Sequence, residues 1–413
     1  MEQLDAELPI RDIFAREIFD CRGNPTVEAE VLAGEGIVGR VSVPSGAGME
    51  AGSKTDDDRE IPERTEKMVE VINTHIAQEL IGRNVFDQED IDKALLRLDG
   101  TDDKSALGTR TVFGVSAAVA CAAAAALKLP LYRYLGGVQA KSMPVPVVTV
   151  TERRRIMVAD TGKGMENRPG QYGIFLIPAE HLPFRTQIKM CVEICRSMGK
   201  ASADIRETLG MLKTAVERAG FQAGQDVTFG IDASAAKRYD CGQKCYRFPG
   251  EIGKKGRGLQ RTSQEMTVYY DELTAEFPIS FIEDPMDCED WDGWAEITES
   301  LGDRIQLSGS SLYRTDIKRL EKGIRMGAAN AITVRADRAG TLTELSNVIK
   351  MAQKAGYGVS LAHSTGETSD SLIADLAVAF RVSRIQAGRL CHMENMEKYN
   401  RLLRIEERVG ETG

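Results

Sequence analysis

The chain has 413 residues, 42% apolar and 28% charged, a composition that suits a soluble globular protein of two or three domains. No uninterrupted apolar run approaches the ~20 residues a membrane-spanning helix needs. Fifty-three Lys plus Arg against 62 Asp plus Glu leave a net charge of -9, which argues against nucleic acid as a partner.

The N-terminal MEQLDAELPIRDI lacks the basic start and apolar stretch of a signal peptide, and eight cysteines are too few for a disulfide scaffold. A reducing cytoplasm is the expected setting. Strand-like IRDIFAREIFD, TVEAEVLAG and GIVGRVSVPSG are followed by helices, including the small-residue FGVSAAVACAAAAALK (113–128). Strands first and helices after predict an α+β domain over 1–140, with KSMPVPVV as the junction to a second domain over 141–413. Residues 153–171 are polar and Gly-rich and read as a loop; its cluster Arg153, Arg154, Arg155 is either an anion clamp or a solvated loop face. The pairs Cys191 with Cys195 and Cys241 with Cys245 lack partners at zinc-site spacing and read as structural or incidental.

VTFGID forms a strand ending at Asp232, and the capping-box pattern from Thr262 to Glu265 opens a helix. Short apolar strands then alternate with amphipathic helices. With Ile279, Ile305, Ile332, Val359 and Ile385 as markers the intervals are 26, 27, 27 and 26 residues, the step of a βα repeat. No Gly-x-Gly-x-x-Gly turn follows any strand, which favours an α/β (β/α)8 barrel over a doubly wound sheet, although periodicity alone admits both.

In such a barrel the chemistry gathers where strands end. Asp232 and Glu283 suit a hard divalent cation such as magnesium, or else ion pairs with nearby arginines. The third strand offers only SGSSL, with the neutral hydroxyl of Ser310. Arg335 ends the next strand, and Gln386 lies on the last. His363 is a candidate base or oxyanion donor, or a plain hydrogen-bonded histidine. Ser364, Thr365 and Gly366 precede a helix, either as an anion cradle or as a capping turn.

IFDCRGNPTVEAEV, VPSGA, LDGTDDKSALG, FGVSAAVA with PLYRYLGG, PVPVV, FGIDAS, FIEDPMDCEDWDGW, GTLTEL, HSTGETSDSLIADLAVA and KYNRLLRIEE together resemble enolase (phosphopyruvate hydratase), in the same order from about residue 9 to 408. The resemblance implies an N-terminal α+β capping domain on a barrel that begins ββαα. It also implies a homodimer, and a magnesium-dependent lyase interconverting 2-phosphoglycerate and phosphoenolpyruvate without an organic cofactor.

Mapped residue by residue, the resemblance retains two metal ligands, Asp232 and Glu283, while the third falls on Ser310. The lysine base falls on Arg335, which cannot usefully release its proton near neutral pH. The lysine that neutralises substrate carboxylate falls on Gln386, and the phosphate-binding arginine after His363 falls on Ser364. Gly48 replaces the mobile-loop serine, Ile156 a histidine, and Tyr172 with Gly173 a Gln-Glu pair. The segment bearing the general acid has no counterpart. Weak magnesium binding and little or no 2-phosphoglycerate dehydration are therefore expected. Two readings follow: an altered enzyme acting on another small phosphorylated or carboxylated anion, with no membrane or nucleic-acid partner, or a non-catalytic structural, regulatory or partner-binding relative.

Overall fold

The structure, a computed structural model, describes residues 7–46, 61–151, 172–199, 202, 204–252 and 258–410. Strands β1 (Ile10–Phe19), β2 (Pro25–Ala33) and β3 (Ile37–Ser42) form an antiparallel meander. Val27, Ala29, Val31 and Ala33 of β2 are buried on one face. The intervening Glu28 and Glu30 pair with Arg16 and Arg40 on the other. This alternation makes a one-sided sheet.

Helix α1 (Ile61–Val71) continues through a π-helical turn (Ile72–Ile76) into α2 (Ala77–Leu80), followed by α3 (Gln88–Asp99), α4 (Thr109–Ala126) and α5 (Leu131–Gly136). The alanine-rich α4 lies against the sheet so closely that a Cβ on Gly39 would meet the backbone of Ala118 and Ala122 at 2.0 to 2.9 Å. Small residues on both sides permit that approach. By length and composition α4 is apolar enough to cross a membrane, which the sequence reading missed, yet 72% of it is buried inside the protein. It also starts four residues before the predicted Phe113, directly after Gly108 in a positive-φ conformation.

A closed barrel of eight strands follows: β4 (Val145–Thr151), β5 (Gly173–Pro178), β6 (Val227–Asp232), β10 (Ile279–Glu283), β11 (Gln306–Gly309), β12 (Ala331–Arg335), β13 (Gly358–Ala362) and β14 (Arg384–Gly388). Strands β7 (Tyr239–Asp240), β8 (Cys245–Ile252) and β9 (Gly258–Arg261) form a separate antiparallel sheet after β6. Around the barrel run α6 (Phe184–Ser197), α7 (Ile205–Arg218), α8 (Ser263–Glu276), α9 (Trp291–Leu301), α10 (Ile317–Met326), α11 (Leu342–Lys354), α12 (Leu372–Ala379) and α13 (Met393–Gly410). All barrel neighbours are parallel except β5, which runs antiparallel to both β4 and β6. The constant βα step is thus one part of a barrel that opens with a reversed strand.

Alternate residues of the early barrel strands, Val148, Ile174, Leu176 and Ile282, join the main core, while Val145, Val147, Phe175, Ile177 and Phe281 form a second apolar cluster of their own. Period-2 alternation assigns that second set to the barrel interior. Arg384 stacks 5.2 Å over Phe281, and burial lowers its pKa to about 10. The capping box forms as expected, with Thr262 and Glu265 each accepting the other's backbone amide. The β7–β9 sheet had no counterpart in the sequence reading. It is anchored by stacked cations: Arg238 lies 4.6 Å from the Tyr172 ring, and Arg261 lies 4.3 Å from Phe248 and 4.4 Å from Tyr269.

Candidate functional site at the barrel mouth

Strand register decides which side chains can meet. Glu283 sits opposite Asp232 on one neighbouring strand and Ser308 on the other. Arg335 pairs in register with Ala362, and Ala362 with Gln386. The ends of β6, β10, β12 and β14 therefore converge on one mouth.

The cluster there is internally hydrogen-bonded. Glu283 Oε2 accepts from Gln386 Nε2 at 2.8 Å and from Thr333 Oγ1 at 3.2 Å, and its Oε1 lies 3.7 Å from Arg335 Nη2. Arg335 Nη1 donates to Ser310 Oγ. Glu283 is only 4% exposed in its side chain against 19% for Arg335, so the arginine is the more solvent-accessible partner. Asp232 Oδ1 accepts from Ser234 Oγ at 2.7 Å. Across the sheet from Asp232 is Gly173, where an added Cβ would come within 3.0 Å of the Asp232 Cβ.

The second acid of the FIEDP segment has a different task. Asp284, at φ 48°, accepts the backbone amides of Ser310 and Ser311 at 2.8 and 3.0 Å and so caps the SGSSL turn. His363 Nδ1 lies 3.2 Å from its neighbour's carbonyl oxygen on Ser364. A carbonyl only accepts, so Nδ1 is the donor side of this contact.

Ser364 and Thr365 belong to a different neighbourhood. The helix that follows them begins at Leu372, so their amides do not form its N-terminus. Ser364 Oγ donates to Asp337, its backbone amide donates to Glu367 at 2.7 Å, and the Thr365 carbonyl accepts from Gly46 at 3.0 Å. The strip from Ser364 to Asp370 is where the N-terminal domain docks. Gly366 and Glu367 carbonyls accept the amides of Ser45 and Cys21, and Asp370 accepts that of Ser42 at 2.8 Å.

Arg110 reaches across the same seam to Asp337 at 3.2 Å, and buried Lys398 pairs with Glu367 at 2.8 Å. Between the strip and Ser42, Pro44 and Phe113 lies a small cavity of about 30 Å³, lined by both apolar and charged side chains and large enough for a water. Burial alone would raise Asp337, but the charge of Arg110 and the hydrogen bond from Ser364 outweigh it and hold the carboxyl below its ordinary value. Burial raises Asp370, and raises Glu367 despite the charge of Lys398.

A meander-and-helix domain seated on a closed barrel whose second strand is reversed, with carboxylates at adjacent strand ends, defines a two-domain (β/α) barrel protein. The family model described as Enolase, N-terminal domain matches residues 10–135, and that described as Enolase, C-terminal TIM barrel domain matches residues 197–413. The chain belongs to the enolase family.

A divalent cation, which the family implies, needs oxygens free to face it. The donor set here fits poorly: Glu283 faces Arg335, Gln386 and Thr333, and Ser310 is a neutral oxygen that accepts from the same arginine. Among the described residues, no three His, Cys, Asp or Glu side chains are placed to hold a metal together. Gly48, Ile156 and Arg153 to Arg155 lie outside the described residues.

Strand ends drew Ser308 and Asp337 into the sequence reading, whereas Thr333, Arg110, Lys398 and Glu367 escaped it as functional or organising groups. Thr333 was within reach, since it stands two residues before Arg335 on the same strand and so shares its face. The pairing of Arg110 with Asp337, 227 residues apart, leaves no local trace.

Proposed function

We propose that this enolase-family protein binds a small carboxylated or phosphorylated anion at the barrel mouth, needs no magnesium to do so, and has little or no 2-phosphoglycerate dehydration activity. The observation that carries this reading is the position of Arg335, nearer to solvent than Glu283 and in contact with both Glu283 and Ser310. An incoming anion meets the guanidinium before the acid, and a planar guanidinium suits bidentate recognition of carboxylate or phosphate. A guanidinium keeps its proton near neutral pH, which disqualifies it as the base for a carbon-bound proton. His363 Nε2 is the proposed proton acceptor, and Gln386 orients Glu283.

A non-catalytic role is the second reading, favoured by how fully Glu283 is engaged by its own neighbours. A homodimer in the cytoplasm belongs to either version of the proposal. The test is a coupled turnover assay on purified protein, together with a thermal-shift screen of phosphorylated and carboxylated metabolites with and without magnesium. A ligand at 100 times its Kd should stabilise the fold by ~2.7 kcal/mol. Stabilisation by an anion in the absence of magnesium supports the first reading, no response to any anion supports the second, and ordinary 2-phosphoglycerate turnover would sink both.

A further inference from the structure

We propose that Arg335 is a built-in counter-ion that does the electrostatic work of a divalent cation at the barrel mouth, and that its removal uncovers a cation site on Asp232, Glu283 and position 310. The inference deepens the magnesium-free reading above and rests on it. Three features meet here. Glu283 is a buried carboxylate, and such a charge needs compensation. Its Oε1 faces Nη2 of Arg335 at 3.7 Å, while the two neutral donors Gln386 and Thr333 take Oε2. Ser310 Oγ, the oxygen at the end of the next strand, accepts from the same guanidinium.

The oxygens of Glu283 and Ser310 that a metal would need are thus turned toward one organic cation. Asp232 lies on the adjacent strand, in register with Glu283. A divalent ion must displace the guanidinium to bind, and the displaced charge would remain nearby and repel it. Metal and arginine are therefore mutually exclusive occupants. The arginine is covalently attached, so it competes at high effective concentration.

The test uses full-length protein and Mn2+ as the probe, read by electron paramagnetic resonance and by thermal shift, on wild type, Arg335→Lys, Arg335→Met and Arg335→Met with Ser310→Asp. Wild type should hold Mn2+ no tighter than about 1 mM. Arg335→Lys keeps a cation and should behave alike. Arg335→Met should melt lower, with Mn2+ restoring part of the loss, and adding Ser310→Asp should tighten Mn2+ at least about tenfold over wild type. Introducing Glu283→Gln into Arg335→Met should recover stability without metal.

Tight Mn2+ binding by wild type overturns the inference even if anions bind without metal, and that result leaves the anion reading standing. Failure of Arg335→Met with Ser310→Asp to bind Mn2+, in a variant that melts cooperatively, overturns it as well. If that variant does not fold, the wild-type measurement and the Glu283→Gln rescue decide. Should wild type bind no Mn2+ yet turn over 2-phosphoglycerate normally, the parent reading fails first.

Discussion

The domain seam and the barrel mouth both bury carboxylates beside cations, but they differ in what the charges join. At the seam, Arg110 and Asp337 come from different domains, and Asp92 of α3 accepts the backbone amide of Thr343 and its hydroxyl, capping α11 on the barrel. At the mouth, Glu283, Ser310, Thr333, Arg335 and Gln386 all belong to the barrel and satisfy one another. Seam charges do the work of assembly, and mouth charges do the work of compensation. In this enolase-family chain the first arrangement joins the two domains, and the second sets Arg335 against Glu283 and Ser310.

The sharpest way to break this contrast is at Lys398, which is buried and paired with Glu367 in the docking strip. Lys398→Met leaves a buried carboxylate uncompensated and should cost about 3 to 5 kcal/mol in urea unfolding, with Glu367→Gln recovering much of it. A cost under about 1 kcal/mol would show that the strip is held by its backbone bonds alone.

Next in size is Asp92→Ala. It removes acceptors for Thr343, Ser116 and Gln88 and should lower stability by about 2 kcal/mol. The loss should be accompanied by faster amide exchange at the start of α11. Unchanged exchange there would detach Asp92 from the docking of the two domains.

The pH dependence separates two seam carboxylates by sign. Asp337 is held below its ordinary value of 3.8, so its contribution is present above that pH and lost as the pH falls through the lowered value. Asp370 is raised, so its contribution is complete below 3.8 and is lost as the pH rises through the raised value. Asp337→Asn should flatten the acid limb of a stability profile, and Asp370→Asn the opposite limb. Matching profiles for wild type and both variants would refute the assignment. The smallest effect is expected on the exposed face of the meander, where Arg40, 59% exposed, pairs with Glu30. Arg40→Ala should cost less than about 1 kcal/mol and less still at high salt.

Much of the fold was legible because it is local. The βα step through Ile279, Ile305, Ile332, Val359 and Ile385, and the Thr262 capping box, depend on neighbours in sequence, and the structure bears them out. The reversed β5 was expected only through the enolase resemblance, since six apolar residues have no direction written in them. The β7–β9 sheet was missed because β7 and β9 are short and carry few apolar residues, while contacts such as Arg238 on the Tyr172 ring form only in the folded chain. At the mouth, the strand-end rule found Asp232, Glu283, Arg335 and Gln386. Ser364, read as part of a turn before a helix, has its hydroxyl claimed by Asp337 27 residues earlier, a partner that only the folded chain brings near.

The alanine-rich α4 carries a consequence for how the protein is made. One flank lies on the meander, but Ser116 accepts from the amide of Leu342, and that residue leaves the ribosome more than 200 residues after the helix is finished. At ~5 to 20 residues per second, this apolar rod waits ~10 to 40 s before its last covering arrives. Newborn N-terminal domains would then be the stage most exposed to chaperones and to self-association, and slowing translation downstream of Ala126 should lower the yield of native protein.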